Sequence, residues 1–164
     1  MSQPAFPLDD LDLRILRTLQ HDASLSNAAL AEHVHASAPT CLRRVRRLRE
    51  AGLIQRQIAL LDAARLGATL TAIIEITLDR QAAEDYAAFE AYICAEAAVT
   101  QCYRVSPGPD FVVMAELADM PAYDALARRL FTAMANVRNV RTFFSTHRAK
   151  FEGNAPVAGR GAPD

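Results

Sequence analysis

Over the first fifty residues, apolar positions recur every three to four residues; further on they gather in short β-branched runs. Leu8, Leu11, Ile15, Leu16 and Leu19 form one stripe and predict a helix over Leu8–Leu19, with Asp9 placed to cap its start. Gln20-His21-Asp22-Ala23 is a connector. A second helix is expected after Ser26, whose hydroxyl can accept from an early backbone N–H, with Leu30, Ala31 and Val34 facing inward. His35–Ser37 is a tight turn. A third helix then runs from Ala38 to Ala51, with Ser37 as N-cap, Pro39 in the first turn and Gly52 at its end. Three short helices with so tight a turn between the second and third make a helix-turn-helix. Leu53–Leu61 fits one or two short strands, a wing or a linker, and Gly67 marks a break.

Leu70–Leu78 (LTAIIEITL) predicts a strand. Ala82–Ala95 predicts a helix with Tyr86, Phe89 and Ile93 on one face, and Val99–Val105 a second strand. Ser106-Pro107-Gly108-Pro109 is a turn and Phe111–Leu117 a third strand. Ala122–Met134 is expected to be helical, with Tyr123, Leu126, Leu130 and Met134 inward, and Val140–His147 to be the fourth strand. The order βαββαβ is ferredoxin-like, so the fold class is α+β. The expected divisions are a disordered N-terminus at 1–7, a helix-turn-helix domain at 8–55 and a strand or linker at 56–67. A ferredoxin-like domain at 68–151 and a disordered Gly/Pro/Ala-rich tail at 152–164 complete them.

Charge sharpens the picture of the third helix. Between Ser37 and Gln57 lie Arg43, Arg44, Arg46, Arg47, Arg49 and Arg56 against one acid, Glu50, a surplus of +5 in a chain whose net charge is −1. A basic block in an otherwise acidic chain is the usual footprint of a nucleic-acid surface. At about 100° per residue, Cys41, Leu42, Val45 and Leu48 fall on one side, and Thr40, Arg43, Arg44 and Arg47 on the other. The arginine fork matches both phosphate and the acceptors of guanine. Thr40 and Arg44 are expected at base edges, Arg46 at phosphate and Arg49 turned outward at the helix end; Ser37 and Pro39 at the helix start complete the expected DNA-contacting set. A solvated helix with surplus charge is the plain alternative, but such faces usually mix signs.

Several chemistries are not indicated. Half of the 164 residues are apolar, enough for a packed core, yet no run of eighteen or more could span a membrane. The first residues resemble no secretory signal. Cys41, Cys94 and Cys102 are scattered, which fits a reducing, cytoplasmic setting and no metal site; Cys41 is expected to pack inward. His21, His33, His35 and His147 are unclustered. No phosphate loop, dinucleotide fingerprint or nucleophile elbow occurs, so no enzyme and no cofactor is expected. Asp9, Asp10 and Asp12 read as helix-start acids rather than a catalytic pair.

Leu8-Asp9-x-x-Asp12-x-x-Ile15-Leu16, Leu25-Ser26-Asn27-x-x-Leu30-Ala31, Thr40–Leu48 and Gly52-Leu53-Ile54 together resemble the Lrp/AsnC (leucine-responsive, feast/famine) transcription regulators. The resemblance continues through Ile74–Leu78, Val105-Ser106, Asp110-Phe111, Asp119–Tyr123 and Val137, covering about residues 8 to 150. It implies a winged helix-turn-helix followed by a ferredoxin-like effector-binding domain, and a sequence-specific regulator of double-stranded DNA. It also implies homodimers paired through their sheets, octamers in many members, and an amino acid or related metabolite bound between subunits. The family usually carries Gly-Asp after the second strand of that domain; here Ser106-Pro107-Gly108-Pro109-Asp110 replaces it, removing one carboxylate and two backbone donors. Ser106, Gly108, Asp110, Arg141 and Thr142 are the expected effector-pocket residues. Two rivals stay open at this point. One is an architectural DNA-binding protein with little sequence preference. The other is a tetrapyrrole decarboxylase of similar fold, for which no histidine cluster is present.

Overall fold

The computed structural model describes residues 6–67, 69–151, 155 and 157. Those residues divide into two compact units, one up to Leu60 together with those from Phe151 on, the other from Leu61 to Lys150. The expected tails at 1–7 and 152–164 lie outside the described residues, except for Phe6, Pro7, Ala155 and Val157. No helix among the described residues is long and apolar enough to cross a membrane.

The first unit is built from α1 (Asp10–His21), α2 (Asn27–His33) and α3 (Ala38–Glu50). Asp9 caps α1: its carboxylate accepts the Asp12 N–H at 2.9 Å, and the Asp12 carboxylate accepts the Asp9 N–H at 3.1 Å. This reciprocal box satisfies two backbone donors that a helix start otherwise leaves unpaired. Ser26 caps α2 by accepting from the Ala29 N–H at 3.1 Å. The chain then reverses through His35, at φ 53°, and the Ala36 N–H returns to the Ala31 carbonyl at 2.9 Å. Gly52, at φ 72°, ends α3 in the left-handed conformation that glycine tolerates. Ile15, Leu30, Ala31, Val34, Cys41, Val45 and Leu48 form the core. Phe6 packs against it, so residue 6 is part of this unit and not a free tail.

The second unit is a four-stranded antiparallel sheet of β1 (Leu70–Leu78), β2 (Val99–Arg104), β3 (Phe111–Leu117) and β4 (Val137–Phe144), carrying α4 (Ala83–Cys94) and α5 (Met120–Ala127). The strand order is β2-β3-β1-β4. Burial alternates along β1 and β3, as period two demands. Ala72, Ile74, Ile76 and Leu78 of β1 and Phe111, Val113, Ala115 and Leu117 of β3 pack with Phe89, Ile93, Leu126, Leu130 and Phe131. Burying such large side chains contributes roughly 1.5–3 kcal/mol each, before the entropy of ordering them.

Three expectations are corrected. First, β4 begins at Val137, three residues early, and ends at Phe144. Thr77 pairs with Asn139 but Leu78 with Val137, so Arg138 is an extra residue; the bulge breaks the alternation that would have revealed the strand. Second, the last helix is shorter than expected and passes into a π-helical turn, Arg128–Thr132, which brings Phe131 inward beside Leu130. Third, of the alternatives open for Leu53–Leu61 the strand is not formed and the linker is, with Ile58, Leu60 and Leu61 exposed. A strand needs a neighbour for its N–H and C=O groups, and among the described residues no strand pairs with this segment.

Candidate nucleic-acid interface and effector site

The face of α3 is set by its buried line Cys41, Val45 and Leu48. Cys41 is fully buried, and burial pushes its thiol above the usual range, which suits a packing role. Leu42, placed on the apolar side by the helical wheel, is instead 59% exposed because it sits about 100° from Cys41, at the margin of the stripe. The start of the helix is held by the Asn27 amide, which donates to the Ala38 carbonyl at 2.8 Å. Ser37 occupies the N-cap position but makes no side-chain cap; its hydroxyl bonds Thr40 Oγ1 at 2.9 Å. Pro39 is exposed and Thr40 half-buried.

The arginines do not form one outward set. Arg44 Nη1 lies 2.7 Å from Asp9 Oδ2 and 3.3 Å from Asp12 Oδ2, and Arg47 Nη2 binds the same Asp12 oxygen. The Arg47 guanidinium also stacks on Phe6, 5.1 Å from the ring centroid. Each of these arginines is next in sequence to a buried position, Val45 or Leu48, so its stem starts on the flank of the buried stripe and bends toward α1. The expectation that Arg44 and Arg47 point outward beside Arg43 is therefore corrected. Arg43 is exposed and forms no ion pair among the described residues. Arg46 pairs with Glu50 at 2.8 Å, with side chains 81% and 62% exposed, an arrangement that solvent and salt weaken readily. Arg49 reaches Gln57 Oε1 at 2.7 Å. Asp9 is held below its ordinary value by the Asp12 N–H, against the opposing effect of desolvation, with the Arg44 charge adding to the lowering.

Sequence reasoning took Asp12 for a cap and missed its second role. The signal was available: Asp12 is four residues after Leu8 and three before Ile15, on the inward stripe of α1. A carboxylate on an apolar stripe requires a cationic partner.

The five expected effector residues do not converge. Asp110 is buried at 8% exposure and turned into the unit. Its carboxylate accepts from the Leu78 N–H at 2.7 Å, the Tyr86 hydroxyl at 2.7 Å and the Gln81 amide at 3.0 Å. Burial works to raise this carboxyl, but these three donors together hold it below the ordinary value. The same bond pushes the Tyr86 hydroxyl upward, with desolvation adding to it. Within one chain the Asp110 carboxylate spends its bonds on the fold. Ser106 and Gly108 are exposed on the loop before β3. Arg141 is bound to Glu75 across β1 and β4, with Nε at 2.8 Å, on the sheet face opposite the helices. Thr142 alone of the five lines a depression of about 330 Å³ between α5, the π-helical turn and β4. There its hydroxyl meets the Tyr123 hydroxyl at 2.6 Å. Phe131, Thr132, Val140 and Asn139 also line this depression.

With the geometry in place, comparison with known proteins adds independent findings. A family model described as winged helix-turn-helix DNA-binding matches residues 8–55, and one described as Lrp/AsnC ligand binding domain matches residues 71–155. The leucine-responsive regulatory protein of Rhizobium meliloti is 38% identical over 143 residues, 87% of this chain and 92% of that protein. The DNA-binding transcriptional activator DecR of Escherichia coli is 30% identical over 150 residues, 92% of this chain and 99% of that protein. Among solved structures, a Neisseria meningitidis transcriptional regulator in complex with L-Met superposes with TM-score 0.87 at 27% identity, covering 92% of this chain and 97% of that one. An AsnC family regulator from Agrobacterium tumefaciens gives TM-score 0.87 at 31% identity, with the same coverage.

Proposed function

This chain belongs to the Lrp/AsnC family of transcription regulators, and from that premise we propose that it reads duplex DNA with the Thr40, Arg43 and Arg46 side of α3 and answers to an amino acid or related small metabolite. The observation that carries the DNA reading is α3 itself. It is pinned by its buried line and by Asn27, while Arg43 and the weakly held Arg46 stand in solvent. Its N-terminal turn, with Ser37, Pro39 and Thr40, leads into the groove, as in other helix-turn-helix proteins.

The regulator acts as a homodimer, or a higher assembly of dimers, paired through the sheet. The face opposite α4 and α5 carries Tyr103 and Phe143, 51% and 46% exposed, with half-buried Ile73, Val112 and Met114 alongside. Such a face is what a second sheet would cover. The exposed Ile58, Leu60 and Leu61 are further apolar surface for a partner copy to cover. The effector is an amino acid, in keeping with the L-Met bound to the Neisseria relative. The depression beside Thr142 and Tyr123 is the part of its site that one chain supplies. No other cofactor enters this reading, and the setting is the cytoplasm.

Selection of binding sites from random duplexes, repeated with a panel of amino acids, tests these statements together. The expected result is a two-fold symmetric site with half-sites a helical turn or a multiple apart, preferred over bulk DNA by about 10³-fold or more. One or more amino acids should shift its affinity. A protein that recovers no preferred sequence is the architectural alternative instead.

A further inference from the structure

The unassigned feature is the buried joint between α1 and α3. Asp12 has no exposed surface, and Arg44 and Arg47 both converge on it. The Nε of each arginine is buried and has no hydrogen-bond partner among the described residues, so both guanidiniums are drawn inward by the carboxylates rather than spread toward solvent. Asp9, half-exposed at the start of α1, takes the outer side of Arg44.

We propose that Asp12, assisted by Asp9, is a positioning and charge-masking residue for DNA binding: it withdraws Arg44 and Arg47 from the duplex and leaves Arg43 and Arg46 to meet it. The inference rests on the DNA reading of α3 above. Five arginines and Glu50 make this helix +4, and the two carboxylates of α1 bring the joint surface to +2. Non-specific affinity for DNA grows with each arginine offered to phosphate, whereas specificity is the ratio of site affinity to that background. Masking half of the helix charge lowers the background without removing the side chains that face the groove. A phosphate cannot easily recapture Arg47, because doing so would leave the buried Asp12 with only the longer Arg44 contact, at 3.3 Å, and the Asp9 N–H. That costs more than an exposed arginine–phosphate contact is worth.

The test measures binding of the full-length protein to a random-sequence duplex as a function of salt. Asp12→Asn and Asp9→Asn are compared with Asp10→Asn, which changes the charge equally in the same helical turn but touches neither arginine. Asparagine can still cap at position 9 and accept the backbone N–H at position 12. The log–log slope is expected to steepen by about 0.9 for each guanidinium released, and random-duplex affinity to rise about tenfold in Asp12→Asn, less in Asp9→Asn. Asp10→Asn should change both only slightly. Retention on immobilised heparin should follow the same order. Slopes and retention in folded Asp12→Asn equal to those of Asp10→Asn overturn the proposal. Should Asp12→Asn not fold, Asp9→Asn against Asp10→Asn decides in the same two directions. Heparin reads exposed cationic charge whether or not the protein prefers any sequence, so failure of the regulator reading shows separately, as absence of a selected site.

Discussion

Each unit buries one carboxylate among the described residues, and the two are satisfied by opposite means. Asp12 in the helical unit is neutralised by guanidiniums brought from α3, 32 and 35 residues away. Asp110 in the sheet unit keeps its charge among neutral donors: the Leu78 N–H, the Tyr86 hydroxyl and the Gln81 amide. The first arrangement fixes one helix against another and consumes charge that would otherwise face outward. The second fixes where the loop after β2 returns to the sheet, since the Asp110 N–H also bonds the Ile76 carbonyl at 2.9 Å. The ion-paired joint therefore sets how much cationic charge the helical unit shows, whereas the carboxylate held by neutral donors ties loop geometry to pH.

The sharpest way to break this contrast is Asp12→Ala, which strands Arg47, leaves Arg44 with Asp9 alone and opens the capping box. A loss of about 3–5 kcal/mol is expected in denaturant unfolding of the helical unit. Next comes Asp110→Ala, which leaves the Leu78 N–H and Tyr86 hydroxyl without their acceptor. It should cost the sheet unit about 2–3 kcal/mol while leaving helical-unit unfolding in place. A subtler difference is pH. The folded Asp110 carboxyl titrates below its ordinary value, so its contribution is fully present above about pH 4 and is lost as pH falls through the lower folded value. Acid unfolding of Asp110→Asn should accordingly be less steep than that of the wild type, and parallel curves would count against the assignment. At the other end, Tyr86 titrates above its ordinary value, so its bond to Asp110 persists below about pH 10 and is lost as pH rises through the raised folded value. The smallest stability effect belongs to Arg46→Ala, within about 0.5 kcal/mol because its pair with Glu50 is exposed. Its DNA salt slope should nonetheless fall by about 0.9, whereas one for Arg47→Lys should hold.

Much of this was legible beforehand. Leu70–Leu78 and Phe111–Leu117 were readable to the residue because each is a short run rich in apolar and β-branched residues bounded by polar or turn-forming ones, a local signal of a strand. Asp9, Ser26 and Gly52 marked their helix ends because capping is local chemistry. The fourth strand was not legible at Val137, since the extra Arg138 hides its period. The wheel of α3 placed Val45 and Leu48 correctly but could not say which arginines would bend back, nor that Leu42 would lie in solvent.

What the sequence by itself determined is the order and kind of elements, the helix-turn-helix, the ferredoxin-like sheet and the family resemblance, all carried by periodicity and by contacts within a few residues. What only the tertiary structure decided is the state of individual side chains: Arg44 and Arg47 turned to Asp12, Asp110 turned to Leu78 and Tyr86, Arg141 turned to Glu75. The reason is physical. A helical or strand period gives the direction in which a side chain leaves the backbone, but the energy of a charge depends on what it meets there, and these partners lie 24 to 66 residues away along the chain.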